Sequence, residues 1–149
     1  MRIAKLLPSE KIPGRWLIWL DDGALVRGSE NEVAAFSLYA GMELPDETYE
    51  ALAAAAQVSE MKEKALSLLA GRPMSRRELV DRLSAERGNR AAAPRLETAE
   101  AVADRLEELG YLDDAAYART VARHYAAKGY GERKIRDELY RRGVDRALW

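Results

Sequence analysis

The sequence predicts a mainly α-helical protein, built from tandem three-helix repeats and preceded by a small antiparallel β-sheet of about three strands with short helices. Three observations predict this class. A period of 56 residues relates two helical segments in the C-terminal half of the chain. Two serine–glutamate capping patterns and several glycines mark the starts and ends of helices. The N-terminal residues instead show short apolar runs separated by turns, which is typical of strands.

Two apolar runs near the N-terminus predict strands: residues 2–7 (RIAKLL) and 15–20 (RWLIWL). The second run is apolar on both faces, which favours a central strand. Asp22-Gly23 is a strong hairpin signal because glycine supplies the positive φ of a type I′ turn, and residues 24–27 are the predicted return strand. A sheet of this size cannot bury itself alone, so helices should cover it.

Two helices are predicted to follow the sheet. Ser29 and Glu32 form a capping-box pattern, and the first helix is expected to run from there to a stop at Gly41. Pro45 lies at a first-turn position of an alanine-rich helix that should extend to about Gln57. We assign residues 1–58 to this N-terminal region, with a helical join near residues 58–59.

Residues 59–112 form the first predicted repeat. Its first helix ends at Gly71 and Pro73 and carries an apolar stripe of Met61, Ala65, Leu68 and Leu69. Ser75 with Glu78 makes a second capping box. Residues 88–94 (GNRAAAP) are a predicted loop. Thr98 is the expected cap of a third helix, which Gly110 ends and whose inward residues are Val102, Leu106 and Leu109.

Residues 113–149 form the second predicted repeat. Shifting the sequence by 56 residues places RPMSRRELVDRL (72–83) on KGYGERKIRDEL (128–139), with Leu79 on Ile135 and Leu83 on Leu139. Such a period indicates units that bury their apolar stripes against their neighbours. The third helix of this repeat has barely begun at residues 145–149, so we expect the second repeat to be incomplete.

Composition excludes several classes of protein. The chain has no cysteine, which removes disulfides and thiolate metal sites and fits a reducing compartment. No apolar run is long enough for a membrane span and no signal peptide is evident, so we expect a cytoplasmic protein. His124 has no metal partner at helical spacing, and Asp113 is better explained as a helix cap than as a catalytic carboxylate. With no catalytic or nucleotide-binding motif, the sequence predicts a protein that is not an enzyme and has no cofactor, metal or catalytic residue.

Charge is distributed unevenly along the chain. Residues 1–60 hold 5 basic and 10 acidic side chains, whereas residues 115–149 hold 9 basic and 4 acidic ones. A polyanionic partner should therefore prefer the C-terminal half. The predicted contact residues form one basic strip across both repeats: Arg72, Arg76, Arg77, Arg119, Arg123, Lys128, Arg133, Lys134, Arg136, Arg141 and Arg142.

Such a strip would suit a nucleic-acid backbone, single- or double-stranded, or an acidic protein surface. The alternative is a solvated face neutralised by helical pairs such as Arg77 with Asp81 and Lys134 with Glu138. Five tyrosines are interleaved with the strip and fit either a helical core or a base-stacking surface: Tyr111, Tyr117, Tyr125, Tyr130 and Tyr140.

The segments GRPMSRRELVDRL and LEELGYLDDAAYARTVARHYAAKGYGERKIRDELYRRGV resemble the RecX family of bacterial recombination regulators. The resemblance is strong over about residues 61–144 and is most specific at GYLDD and the Lys128–Leu139 segment. It implies an elongated, curved array of three-helix repeats. It also implies a non-enzymatic modulator that binds the RecA–DNA filament along its groove and inhibits its ATPase and strand-exchange activities.

Two features depart from the family pattern. The family usually has three repeats, and this chain ends inside the second; the loop at residues 88–94 is also longer than usual. Two other functions are kept as alternatives: a DNA-binding module of the helix-turn-helix type, with residues 75–110 as its paired helices, and a helical adaptor for another acidic partner. In each case we expect a monomer.

Overall fold

The computed structural model describes residues 1–85 and 92–149. The chain divides into two compact units, residues 1–62 and 63–149. Three antiparallel strands and a short helix belong to the first unit, and four helices and a final 3₁₀ turn belong to the second. A long helix, α2 (Asp46–Gly71), contains the boundary between the two units. The predicted mainly α class with an N-terminal sheet is confirmed.

The sheet has the strand order β1 (Ile3–Pro8), β2 (Arg15–Leu20) and β3 (Leu25–Ser29). The central position of β2 agrees with its two apolar faces, and Gly23 has the positive φ expected at the hairpin. One face of the sheet packs on the following helices and forms the core of the first unit, which includes Ile3, Ile18, Leu20, Val26, Leu38, Leu44, Leu52 and Ala56.

Helix α1 (Glu30–Ala35) begins at the predicted capping box, in which Ser29 is the cap. The carboxylate of Glu32 is buried and also accepts a hydrogen bond from the Ser59 hydroxyl of α2, at 3.0 Å. The prediction that α1 runs to Gly41 is wrong. Ser37 adopts a positive φ of 52°, and the chain then turns so that the Leu38 side chain enters the core. Burial of that leucine outweighs one more helical turn.

Helix α2 runs without interruption for 26 residues, so the two helical segments expected on either side of residues 58–59 are one element. The alanine-rich sequence between Asp46 and Gly71 contains no internal glycine or proline that would interrupt the backbone hydrogen bonds. Met61 and Ala65 of the predicted stripe are buried.

The second unit continues with α3 (Arg76–Ser84), α4 (Ala92–Glu108), α5 (Asp114–Ala127) and α6 (Glu132–Arg141), followed by a 3₁₀ turn at Arg146–Leu148. The 56-residue shift maps the first residue of α3 onto the first residue of α6. Ser75 caps α3 through its side chain, whereas Gly131 at the corresponding position of α6 makes no side-chain cap. The helices of the two copies therefore begin at corresponding residues but differ at the cap.

Helix α4 differs from the sequence prediction in three respects. It begins at Ala92, so residues 92–94 are helical and Thr98 lies inside the helix rather than at its cap. Residues 88–91 of the predicted loop lie outside the described residues. Val102 and Leu106 are buried as predicted, but Leu109 is 45% exposed. The backbone amides of Tyr111 and Leu112 bond to the carbonyl of Leu106, and this turn places Leu112 rather than Leu109 in the interior.

The two repeats meet where α3 begins. The buried Ser75 hydroxyl donates a hydrogen bond to the main-chain carbonyl of Arg142, just after α6. The backbone amide of Arg76 donates to the carboxylate of Asp114 in the first turn of α5, at 2.8 Å. Gly143 lies directly against the Arg77 side chain. Burial raises the pKa of Asp114, and the amide of Arg76 partly offsets this effect.

Gly143 provides a test of this packing. Its φ is +76°, and an added Cβ would lie 2.7 Å from the Cβ of Arg77. Gly129 has a similar φ of +87° but open space around it. We expect Gly129→Ala to cost about 1 kcal/mol of unfolding free energy through backbone strain alone. Gly143→Ala should cost a further 1–3 kcal/mol or so, because the overlap involves an atom next to the main chain.

Urea denaturation followed by circular dichroism measures both values. Equal destabilisation by the two substitutions would contradict close packing of Gly143 on Arg77.

Candidate functional site

Arg142 is the most fully engaged of the predicted contact residues. Its guanidinium donates hydrogen bonds to the Tyr117 hydroxyl (2.8 Å) and the Tyr125 hydroxyl (3.2 Å) of α5. It also donates to the Glu138 carboxylate of α6, at 2.8 Å. Its side chain is 27% exposed, so these bonds form in a partly desolvated setting. Arg142 therefore joins α5 to α6 within the second repeat.

The protonation equilibria agree with this arrangement. Burial by itself would lower the pKa of Arg142, but hydrogen bonds to Tyr117, Glu138 and Tyr125 outweigh burial and raise it. The same guanidinium lowers the pKa of Glu138. For Tyr117, burial is the largest cause of a raised pKa, and the Arg142 hydrogen bond partly offsets it. The cluster therefore keeps one cation and one carboxylate charged, with two tyrosine hydroxyls as additional hydrogen-bond partners.

Arg76 also has partners inside the second unit. Its guanidinium forms ion pairs with Asp104 (2.8 Å) and Glu107 of α4, and bonds to the carbonyl of Glu100. Burial opposes a rise in the pKa of Arg76, and the bonds to the two carboxylates outweigh it. Arg76 therefore fastens α3 to α4.

Three predicted contact residues form exposed ion pairs. Arg72 lies 3.6 Å from Glu78, Arg136 lies 2.6 Å from Glu132, and Arg141 lies 3.7 Å from Glu138. More than half of each arginine side chain is exposed, so these pairs contribute little to stability and can exchange partners. The pairings suggested above as the alternative, Arg77 with Asp81 and Lys134 with Glu138, do not form; Glu138 pairs with Arg142 and Arg141 instead.

The remaining predicted residues are the more available cations. Arg77, Arg119, Arg123 and Arg133 are exposed and form no ion pair with any residue that the structure describes. The Lys134 ammonium lies 4.2 Å from the centre of the Tyr130 ring, and that of Lys128 lies 5.6 Å from the Tyr125 ring. We define the α5–α6 basic surface as Arg119, Arg123, Lys128, Arg133, Lys134 and Arg136.

The structure brings four of these six residues into two local groups. Arg119 and Arg136 line a groove of about 510 Å³ between α5, α6 and the final 3₁₀ turn, together with apolar residues such as Ile135 and Trp149. Lys128 and Lys134 flank the stacked rings of Tyr125 and Tyr130, whose centres are 5.3 Å apart. Continuity of this surface with the arginines of the first repeat remains a prediction.

Some of the five tyrosines belong to the helical core, and the others are exposed as a base-stacking surface would require. Tyr117 is buried and Tyr125 is half-buried, so both belong to the packing of α5 on α6. Tyr111, Tyr130 and Tyr140 are exposed. Sequence reasoning missed the role of Arg142 as an internal connection. Its spacing of four residues from Glu138 could have suggested the ion pair, but nothing local indicated the two tyrosine hydroxyls.

The described part of the chain holds no group of three or more side chains able to bind a metal ion. His124 is exposed on α5, where its ring meets that of Tyr125 edge to face. Asp113 caps α5 by accepting a bond from the Ala116 amide, as predicted. Of the helices that the structure describes, none is long and apolar enough to cross a bilayer.

Comparison with known proteins is informative for this repeat architecture. A family model described as the second three-helix domain of RecX matches residues 113–149. The regulatory protein RecX of Lactobacillus delbrueckii subsp. bulgaricus is 35% identical over 97% of this chain. A crystal structure of regulatory protein RecX covers 99% of this chain with a TM-score of 0.76 and 25% identity. The chain belongs to the RecX family.

Further RecX relatives match a little more than half of the chain. The protein from Pseudomonas fluorescens is 39% identical over 58% of this chain, and that from Xanthomonas oryzae pv. oryzae is 42% identical over 56%. The chain spans about half the length of the curated RecX relatives it matches, 52% for the Lactobacillus protein, and 70% of the RecX chain of known structure.

Substitution of Arg142 tests its assignment as a structural residue of this RecX-family chain. Arg142→Ala leaves the Glu138 carboxylate and two phenols without their shared donor, and should lower the unfolding free energy by on the order of 2 kcal/mol. Arg142→Lys should recover only part of this loss, because an ammonium lacks the planar fork that reaches all three oxygens.

Arg133→Ala is the matched control. Arg133 is exposed on α6, so its removal should change the unfolding free energy by no more than about 0.5 kcal/mol. Urea titrations of the three variants supply the comparison. If Arg142→Ala were as neutral as Arg133→Ala, Arg142 would have to be returned to the set of surface residues.

Proposed function

We propose that this chain acts as a non-enzymatic regulator of recombination and repair that binds the RecA–DNA filament and inhibits its ATPase and strand-exchange activities. Membership of the RecX family of regulatory proteins supports the general assignment. The observation that carries the specific proposal is the α5–α6 basic surface, which leaves several cations unpaired within the described chain.

The proposed contact set is smaller than the strip predicted from the sequence. Arg76 and Arg142 are excluded because carboxylates and hydroxyls of the second unit occupy their donors. Arg119, Arg123 and Arg133 keep theirs available for phosphate or carboxylate groups. Binding a filament through exposed cations would release counterions and weaken as salt rises.

The chemistry of the surface fits binding rather than turnover. Its side chains are arginines and lysines, which offer hydrogen-bond donors and positive charge to an anionic partner. Inhibition would follow if the bound chain favoured a filament state that hydrolyses ATP slowly, since a ligand shifts an equilibrium toward the state it binds better.

ATP hydrolysis by RecA on single-stranded DNA tests the proposal. The unmodified chain should lower the rate in a concentration-dependent manner. Arg123→Glu/Arg133→Glu should raise the concentration needed for half inhibition by at least about tenfold, because two attractive contacts become repulsive. Both side chains are exposed, so the double substitution should leave the fold intact, and circular dichroism checks this.

The control is Arg82→Glu/Arg105→Glu, which makes the same charge change at exposed arginines of the first repeat. It should inhibit like the unmodified chain. Unchanged ATPase at a stoichiometric excess of the unmodified chain would refute the proposal. Sequence-specific binding to duplex DNA without RecA would instead favour a helix-turn-helix function.

A further inference from the structure

The sheet of the first unit has an outer face whose side chains do not belong to the core of that unit. Pairing places Leu7, Leu17 and Arg27 in one row across the three strands and Lys5, Trp19 and Leu25 in the next. These side chains lie opposite the core residues Leu6, Ile18 and Val26. Leu7 is 45% exposed and Trp19 is 36% exposed, whereas Leu17 and Leu25 are half-buried. The six residues are called the outer sheet face.

A β-bulge between Ile3 and Lys5 produces this arrangement. Without the extra residue, strict alternation from the inward Ile3 would turn Lys5 and Leu7 inward as well. The bulge lets Ile3 and Leu6 both pack in the core, while Lys5 and Leu7 join Trp19 and Leu17 outside.

The pattern on the outer sheet face is specific. Its four apolar side chains form a diagonal band from Leu7 on β1, through Leu17 and Trp19 on β2, to Leu25 on β3. The two remaining corners, on opposite sides of the band, are Lys5 and Arg27, both exposed. An apolar band with a cation on each flank is therefore presented by one face.

Charge makes this face unusual for its surroundings. Residues 1–60 hold 10 acidic and 5 basic side chains, yet the outer sheet face holds two basic residues and no acidic one, and the next row of the same sheet side, Arg15 paired with Ser29, adds no acidic residue. A ligand with an apolar stripe between two acidic flanks matches this arrangement, and a basic ligand would be repelled by both corners. Three of the four apolar residues are leucines, which do not stack on bases as aromatic rings do, so the face favours protein over single-stranded nucleic acid.

We propose that the outer sheet face binds an acidic amphipathic helix of a partner protein. The helix would lay its apolar stripe along the Leu7–Leu25 band and place acidic side chains beside Lys5 and Arg27. Such a stripe needs apolar residues at spacings of three and four. The inference goes beyond the proposed function, since it concerns another unit of the chain and requires neither DNA nor the α5–α6 basic surface.

A stapled helical peptide is the probe, because an unconstrained peptide of about four turns is only marginally helical in water. It carries a leucine and alanine stripe flanked by glutamates on both sides and a fluorescent label. The control peptide has lysines in place of the glutamates. Fluorescence anisotropy with the full chain should show binding of the acidic peptide and at least about tenfold weaker binding of the basic one.

Three variants test where the peptide binds: two change charges, and one changes the apolar band. Lys5→Glu/Arg27→Glu should weaken binding of the acidic peptide by at least about tenfold and should reduce the preference for it over the basic peptide. Lys11→Glu/Lys64→Glu makes the same charge change at exposed residues elsewhere and should leave affinity within about twofold. Trp19→Ser tests the apolar band, with circular dichroism as a check on folding.

Several results would overturn the inference. These are no binding of the acidic peptide, equal binding of both peptides, or loss of binding in the Lys11/Lys64 variant alone. Self-association abolished by Trp19→Ser would identify a second copy of this chain as the occupant. Binding of a single-stranded oligonucleotide that Trp19→Ser abolishes and the peptide does not compete with would identify a nucleic-acid surface.

Discussion

The second unit depends on the contacts of one residue, Arg142, through both its main chain and its side chain. Its carbonyl accepts a hydrogen bond from the Ser75 hydroxyl, and its guanidinium donates hydrogen bonds to two tyrosines of α5 and a glutamate of α6. Ser75 is fully buried, so its hydroxyl needs a partner inside the protein. The start of α3 and the end of α6 are thereby held together, although they lie 67 residues apart in the chain.

This connection separates the roles of the arginines. A guanidinium that satisfies three oxygens in a partly buried site is specialised for packing, because losing it would leave those oxygens poorly paired. Exposed arginines of the same helices, such as Arg119 and Arg133, carry no such constraint. The repeat can therefore present a cationic surface while keeping its own charges balanced at the junction. Arginine therefore stabilises the fold where it is partly buried and is available for binding where it is exposed.

Local signals in the sequence predicted much of the fold. Both capping boxes, the hairpin at Gly23, the Asp113 cap and the helix end at Gly110 follow from residues within a few positions of each other. The 56-residue period also predicted the correspondence of α3 with α6. Errors arose where distant packing decided the outcome, as when Leu38 ended α1 and Leu112 replaced Leu109 in the interior.

The candidate site was harder to predict for the same reason. The sequence shows that Arg133 and Arg142 lie on the same basic segment. It does not show that Arg142, and not Arg133, donates hydrogen bonds to the hydroxyls of Tyr117 and Tyr125. Those bonds span 25 and 17 residues. Sorting the predicted cations into internal and exposed groups therefore required the structure.

We expect the junction at Arg142 to make the two repeats one cooperative unit. Native-state hydrogen exchange tests it most directly, by comparing opening free energies of amides in α3 with those in α5 and α6. We predict a shared value for the buried positions Leu83, Val121 and Leu139, because α3 cannot lose its cap without releasing α6. Opening of α5 and α6 at a clearly lower free energy, with α3 still protected, would show that the two repeats unfold independently and would contradict this cooperativity.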